Sequence, residues 1–266
     1  MNDIYTRGGF GREGRNIMGY DGIKCGAILD ETIMLLKLAS SLSTLDEFNR
    51  ESHKILSSRT TQTKNKYIEV IKERFLNFTE DGKIIHTPLL TLINLDHLED
   101  SVKKEIIFYH LASVESVILQ ILYYLYNFLP QKKEISKTNF KSSVYLLMDK
   151  ESSAMLKNLN NILEVFGFLS ITDKKTIKFD YYPVSWQAFI YALYHHYQEN
   201  REKKKISLSM TDVFESVLPR IFLVNLQHMQ KILSITEDLW LIRPAGKGFQ
   251  NNFLLMSSLE RVVQAF

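Results

Sequence analysis

Cysteine is nearly absent from this sequence: Cys25 is the only one in 266 residues. A single thiol excludes a disulfide within the chain and any zinc site built from several cysteines. We interpret Cys25 as a small hydrophobic residue rather than a nucleophile. No secretory signal precedes the first predicted helix, so we expect a protein of the reducing cytoplasm.

The sequence also has no strong excess of one charge. It contains 33 lysines and arginines against 30 aspartates and glutamates, which gives a net charge of +3. A chain of this kind that binds a polyanion must gather its basic residues locally. Its 45% hydrophobic and 24% charged residues are ordinary for a globular protein, and its length suffices for one large domain or two modest ones.

Sequence motifs for catalysis and metal binding are missing. The seven histidines are scattered, and the adjacent His195 and His196 would point about 100° apart on a helix, so they cannot clamp one ion together. Neither a phosphate-binding GxxxxGKS/T loop nor a GxSxG nucleophile elbow occurs. Gly9, Gly11 and Gly14 spell GxGxxG, but no apolar strand precedes them, as a dinucleotide fingerprint requires. We therefore expect no enzyme, no cofactor and no metal ion.

An uninterrupted membrane span is missing too. Residues 106–129 form the only apolar run of membrane length, and the run contains His110, Glu115 and Gln120. An ionised carboxylate near the middle of a bilayer costs roughly 3 kcal/mol. We interpret the run as a buried core helix, or as two helices broken near Ser113, and expect no membrane association.

Glycine is concentrated at the amino terminus. Residues 1–26 hold seven of the 11 glycines together with Arg7, Arg12 and Arg15, and they show no hydrophobic period. This composition predicts a flexible arm, whose arginines would suit a phosphate backbone or a partner protein.

From residue 27 to 131 the hydrophobic pattern has a helical period, which predicts a helical bundle. Ser43 with Asp46, and Thr44 with Glu47, offer capping boxes in two overlapping registers at the start of the second helix. A short helix is predicted to begin at Pro88 and to end near residue 93.

The densest basic cluster of the bundle follows the polar turn SSRTTQT. We predict a helix over residues 64–78, and its exposed side, together with Arg59 from the turn, would present Lys64, Lys66, Lys72 and Arg74. These side chains are candidates for contacts to phosphate groups. The alternative is a solvated helix surface without a ligand.

Residues 132–180 have the pattern of a winged helix. A first helix begins at Ser136 or Thr138, and a second, capped by Ser152 or Ser153, carries an apolar stripe on one side and ends before Gly167. Two short strands follow around a turn at residues 173–175. In such modules the second helix enters the major groove, so the candidate DNA-binding residues are Lys157, Asn158 and Asn161 on that helix, and Lys174 and Lys175 on the turn. A helix pair with a hairpin that only packs, or that docks a protein, is the alternative.

Residues 181–266 repeat this theme after a charged connector at residues 200–205. The pattern predicts helices over residues 211–218 and 220–235, and strands over residues 239–243 and 249–256. Arg243 and Lys247 would lie near the tip of the ribbon, where backbone phosphates are usually met. The alternative is a small ribbon on a helical domain.

Three stretches carry a resemblance to a known family: GAILDETIMLLKLA, then SSRTTQTKNKYIEVIKERF, then the run from EIIFYHLASVESVILQ through KTNFKSSVYLLMDKESSAMLKNLNNILEVFGFLSI. Over residues 26–179 the chain resembles the BrxA family of BREX bacteriophage-defence systems, which are related in fold to the antitermination factor NusB. The resemblance implies a helical bundle joined to a winged helix, and non-enzymatic binding of double-stranded DNA beside other defence proteins. The glycine-rich start and the residues after Phe179 depart from the usual family pattern.

Together these patterns predict a mainly α protein: an arm over residues 1–26, a helical bundle over 27–131, a winged-helix module over 132–180, and a second module over 181–266 that is either winged-helix or simply helical. The leading hypothesis is a cytoplasmic DNA-binding accessory protein of an anti-phage defence system, with little sequence preference. A protein-docking scaffold of a defence complex and a NusB-like RNA-binding protein are the alternatives.

Overall fold

The computed structural model describes residue 23 and residues 25–148, 151–172, 175–198, 207–244 and 252–266. This part of the chain is mainly helical with small sheets, which confirms the predicted fold class at that level. Predictions for Lys174, Lys247, residues 1–22 of the arm and the connector at 200–205 lie outside the described residues.

Six helices and one short hairpin make up the described chain before residue 130. They are α1 (Leu29–Ser40), α2 (Leu45–Ile55), α3 (Thr61–Phe75), β1 (Asn77–Phe78), β2 (Ile84–Ile85), α4 (Pro88–Ile93), α5 (Asp100–Val114) and α6 (Ser116–Phe128). Of the two predicted capping registers, Thr44 with Glu47 forms: Glu47 N donates to Thr44 Oγ1 at 3.3 Å, and Thr44 N donates to Glu47 Oε2 at 3.2 Å. The prediction that a helix begins at Pro88 is confirmed.

The long apolar run is divided into α5 and α6, whose axes meet at 106°. The chain breaks at Glu115, two residues after the predicted Ser113. Ile106, Phe108 and Tyr109 are fully buried, as a core helix requires. Within the described ranges no single helix is long and apolar enough to cross a membrane. The bent pair of α5 and α6 reaches that length and apolar composition only when its two helices are taken together.

The next elements form what we call the first hairpin unit. They are β3 (Glu134–Ser136), α7 (Lys137–Met148), α8 (Ser153–Val165), β4 (Ser170–Ile171) and β5 (Thr176–Lys178). The strands are antiparallel in the order β3-β5-β4, with Ile177 opposite both Ile135 and Ile171. The strand before the helix pair is absent from the predicted layout, because three residues with one buried side chain carry almost no period.

The second hairpin unit repeats this strand order as β6-β8-β7. Its elements are β6 (Ser207–Ser209), α10 (Met210–Glu215), α11 (Leu218–Ile221), α12 (Leu226–Asp238), β7 (Ile242–Pro244) and β8 (Asn252–Leu255). The prediction of a single helix over residues 220–235 is wrong, because the structure divides this stretch between α11 and α12. Leu223 has a φ of 46°, and Asn225 starts a new helix by accepting a hydrogen bond from His228 N at 2.8 Å.

Helix α9 (Trp186–Gln198) lies at the centre of the core. All seven residues of 188–194 have a relative exposure of 0%, so this helix is apolar and covered all round. It packs against α5, against α12 and against the final helix, α13 (Leu259–Gln264). The bundle and the second hairpin unit therefore share one core.

Glu105 of α5 fixes the start of α9. Ser185 caps the helix by accepting a hydrogen bond from Ala188 N at 3.2 Å, and Ser185 donates to Glu105 Oε2 through its backbone N at 2.9 Å and through its hydroxyl. Glu105 is 6% exposed. Burial raises the pKa of its carboxyl group above the ordinary value, although the Ser185 bonds oppose the shift.

Gly167 offers a first test of the local geometry. It follows α8 with a φ of 83°, and Phe168 N donates to Leu163 O at 2.8 Å, which is a Schellman cap and confirms the predicted end of the helix before this glycine. Gly167→Ala should lower the free energy of unfolding by about 1 kcal/mol, because an L side chain is strained at this φ. Gly167→Asn should lose less, since asparagine tolerates this conformation. Urea denaturation measures both; equal losses would contradict the assignment.

Glu105 predicts a pH dependence of stability. Because its pKa is raised in the folded state, the folded protein holds this proton more tightly than the unfolded chain does. The free energy of unfolding should therefore fall as pH rises from the ordinary pKa of 4.5 through the raised value. Glu105→Gln cannot ionise and should lack this component. Urea denaturation at a series of pH values should show that the free energy of unfolding of the wild type falls relative to that of the variant as pH rises. A difference between the two that does not change with pH would refute the prediction.

Candidate nucleic-acid interface

The polar side of α8 carries the three residues predicted to face DNA. Ser152 caps the helix by accepting from Met155 N at 3.3 Å, and the apolar stripe predicted for α8 is buried against the core. Lys157 and Asn161 are exposed and four residues apart, so they lie on one side of the helix, while Asn158 is half-buried.

The chain's own amino-terminal segment, defined here as Ile23 and residues 25–27, lies on this side of α8. Asn158 Nδ2 donates to the Ile23 carbonyl oxygen at 2.9 Å, and Ala27 N donates to Asn161 Oδ1 at 2.8 Å. Two of the three side chains predicted to meet bases therefore bind backbone from the other end of the chain.

The segment fits closely against α8 and the bundle. Ile23 is 2% exposed and Cys25 is 8% exposed, so the predicted hydrophobic character of Cys25 agrees with its burial. A Cβ on Gly26 would lie 2.4 Å from Asn161 Oδ1, which explains why a glycine occupies that position. The flexible arm predicted over residues 1–26 is thus wrong for Ile23, Cys25 and Gly26, which pack in place.

The first hairpin unit carries the chain's excess of positive charge. Residues 132–180 contain nine lysines and six acidic residues, a difference equal to the net charge of the whole chain. Lys175 is exposed at the start of β5, and its carbonyl oxygen accepts from Lys137 N at 2.8 Å, which ties the hairpin to α7. Lys133 is engaged within the unit by an exposed ion pair with Asp180 at 2.7 Å.

The basic side chains on and before α3 are largely engaged inside the bundle. Lys66 is exposed, and three others have partners within the described residues. The contacts are Arg59 Nη2 to Glu31 Oε1 at 2.7 Å, Lys64 Nζ to the His53 carbonyl oxygen at 3.0 Å, and Lys72 Nζ to Asn49 Oδ1 at 3.4 Å. A ligand would have to compete with these contacts.

Arg74 does not lie on the exposed side of α3, and that part of the prediction is wrong. Its side chain is 5% exposed, and Nε donates to Glu115 Oε1 at 2.8 Å, at the bend between α5 and α6. Val70, four residues earlier on the same side of the helix, is also buried. The buried apolar residue at position 70 was the signal in the sequence that Arg74 lies on the inner side of α3.

The second hairpin unit exposes a tryptophan that the sequence analysis missed. Trp240 is 71% exposed, has a φ of 59°, and lies between α12 and β7. Arg243 is exposed, with its guanidinium 5.9 Å from the centroid of the Trp240 ring. A tryptophan three residues before a predicted ribbon arginine was the available signal.

Two tyrosine–histidine pairs lie between α5 and α9. Tyr109 Oη is 3.0 Å from His195 Nδ1, His110 Nε2 is 2.8 Å from Tyr191 Oη, and the two imidazole rings are 4.8 Å apart. Among the described residues, no group of three or more His, Cys, Asp or Glu side chains is placed to hold a metal ion. Tyr109 and Tyr191 are fully buried, so these pairs belong to the core between the two helices.

No family model, no curated protein and no solved structure matches this chain. The resemblance to the BrxA family stays a prediction from the sequence. Any functional argument thus depends on the residues themselves.

The Arg74–Glu115 pair can be tested apart from any ligand. Glu115→Ala should lower the free energy of unfolding by about 3 kcal/mol, because it leaves a buried guanidinium without its partner. Lys66→Ala, which removes an exposed charge from the same helix as Arg74, should cost less than about 0.5 kcal/mol. Chemical denaturation compares the two, and similar losses would show that Arg74 is not buried as described.

Proposed function

We propose that the chain is a non-enzymatic, DNA-binding accessory protein whose two hairpin units act as winged helices. The support is topological: each unit has a strand, then helices, then an antiparallel hairpin, with the first strand pairing to the third. In winged helices the last helix before the hairpin meets the major groove and the hairpin flanks it. In the first unit these two elements are α8 and the β4–β5 hairpin.

One observation carries the proposal: Lys157 is exposed on α8, in the same unit that presents Lys175 at the hairpin. Lysine ammonium groups at these places would neutralise phosphates on either side of a groove. Arg243, exposed beside Trp240, would do the same from the second unit. Lys174 and Lys247, outside the described residues, stay in the proposed set because the sequence places them in the two turns.

The proposed binding has little sequence preference. Asn158 and Asn161 are the side chains best suited to base edges, and both are engaged by the amino-terminal segment. The proposed phosphate contacts come from lysines and an arginine, whose attraction to phosphate is independent of sequence. Lys66, and Arg59, Lys64 and Lys72 if released from their partners, would add to this attraction from the bundle.

The setting of this activity is proposed from the resemblance to the BrxA family. A small DNA-binding subunit of an anti-phage system would work beside other defence proteins in the cytoplasm. Duplex DNA and those proteins are the proposed partners.

A protein-docking scaffold is the second candidate, and a specific observation favours it. Leu146 on α7 is 82% exposed and Leu147 beside it is 36% exposed, in the same unit whose asparagines are already occupied. Exposed apolar side chains of this size are typical of protein contacts. Winged helices serve both purposes, so the fold alone does not choose between them.

Salt dependence and two lysine substitutions test the DNA proposal. The logarithm of the affinity for duplex DNA should fall linearly with the logarithm of salt concentration, because binding releases counterions. Lys157→Ala and Lys175→Ala should each weaken binding and reduce the slope by about 0.9, the contribution of one phosphate contact. Fluorescence anisotropy with a labelled duplex over a salt series measures both quantities.

The matched control is Arg50→Ala, which removes an exposed positive charge from α2. It should leave the slope unchanged. Affinity that does not respond to salt, or equal losses in all three variants, would contradict the proposed contacts. Retention of neighbouring defence proteins without retention of DNA would favour the scaffold.

A further inference from the structure

We propose that the amino-terminal segment is an inhibitory latch, which lies on the DNA-facing side of α8 and competes with duplex DNA for Asn158 and Asn161. This inference rests on the proposed function. It goes beyond it by assigning a regulatory role to a part of the chain that precedes the first helix.

The hydrogen bonds place the latch where a base pair would otherwise lie. Asn158 uses its amide Nδ2 on the Ile23 carbonyl oxygen, and Asn161 uses Oδ1 on Ala27 N. An asparagine that reads adenine needs the same donor and acceptor atoms. One of these two atoms is bonded to the segment in each asparagine, and the backbone of the segment lies against the amide group, so a base at these positions competes with the segment.

The segment is held by contacts of two kinds. Asn161 is exposed and Asn158 is half-buried, so water can replace both hydrogen bonds when the segment departs. Ile23 and Cys25 are buried, so departure also exposes apolar surface. The closed state is therefore favoured without DNA, and the apparent affinity for DNA is reduced by the fraction of molecules that are open.

Gly26 is the point at which the latch can be loosened. A Cβ there would lie 2.4 Å from Asn161 Oδ1, and that atom is the acceptor for Ala27 N. A larger side chain at Gly26 must therefore displace either the segment or Asn161. Both displacements break the same hydrogen bond.

Cys25 makes latch opening measurable in the full chain. It is the only cysteine, and it is 8% exposed when the segment is in place. The rate at which a thiol reagent labels Cys25 under native conditions thus reports how often the segment is released. The measurement needs no added probe on the protein.

The experiment combines thiol labelling with duplex-DNA affinity for the wild type, Gly26→Val and the double variant Asn158→Ala/Asn161→Ala. Duplex DNA should speed the labelling of wild-type Cys25 several-fold. Gly26→Val should label rapidly without DNA and bind duplex DNA several-fold more tightly. The double variant should also label rapidly without DNA, and because alanine favours helices it preserves α8 if Gly26→Val fails to fold.

The other outcomes distinguish a failure of the latch from a failure of the proposed function. If DNA binds without speeding the labelling, or if the double variant labels as slowly as the wild type, the latch is refuted and the proposed function stands. If neither the wild type nor Gly26→Val binds duplex DNA, the proposed function fails and the latch fails with it. Lys157→Ala is the control for DNA-dependent labelling, since it should weaken the response to DNA while leaving the labelling without DNA unchanged.

Discussion

The complete burial of α9 is the constraint on which the rest of the structure depends. Residues 188–194 have no exposed surface, so the helix must be covered by α5, α12 and α13 at the same time. Glu105 and Ser185 fix where this helix begins. Helices α7 and α8 of the first hairpin unit keep exposed residues on their outer sides, among them Lys141 and Lys157.

Charge alone does not mark a binding surface in this protein. Several basic side chains already have acidic partners within the protein: Arg74 is buried with Glu115, and Arg59 is paired with Glu31. The proposed contacts to a polyanion therefore depend on where the exposed basic residues lie, and Lys157 on α8, Lys175 before β5 and Arg243 on β7 are exposed in the two hairpin units.

Local patterns predicted local structure well. The Thr44 capping box, the helix that begins at Pro88 and the glycine cap at Gly167 each depend on residues a few positions apart, and each is confirmed. The strands β3 and β6 were not predicted, because a three-residue strand has too few side chains to show a hydrophobic period. The break between α11 and α12 was not predicted, because Leu223 adopts a positive φ, which is uncommon for a leucine and leaves no signal in the sequence.

The long-range contacts on which the proposals depend had no local signal in the sequence. Asn158 and Asn161 bind residues about 135 positions earlier in the chain, and Arg74 binds a residue 41 positions later. Such pairings are decided by how whole helices pack. The sequence therefore identified α8 as the candidate helix, but its occupation by Ile23 and Ala27 required the folded structure.

The central claim is that duplex DNA contacts the exposed side of α8 and the adjacent hairpin. The most direct measurement is lysine acetylation of the intact protein with and without duplex DNA, read by mass spectrometry. The account predicts that DNA protects Lys157 and Lys175 and leaves Lys54 and Lys83, both exposed in the bundle, as reactive as before. Unchanged reactivity of Lys157 in a protein that is bound to DNA, or protection of Lys54 and Lys83 instead, would contradict it.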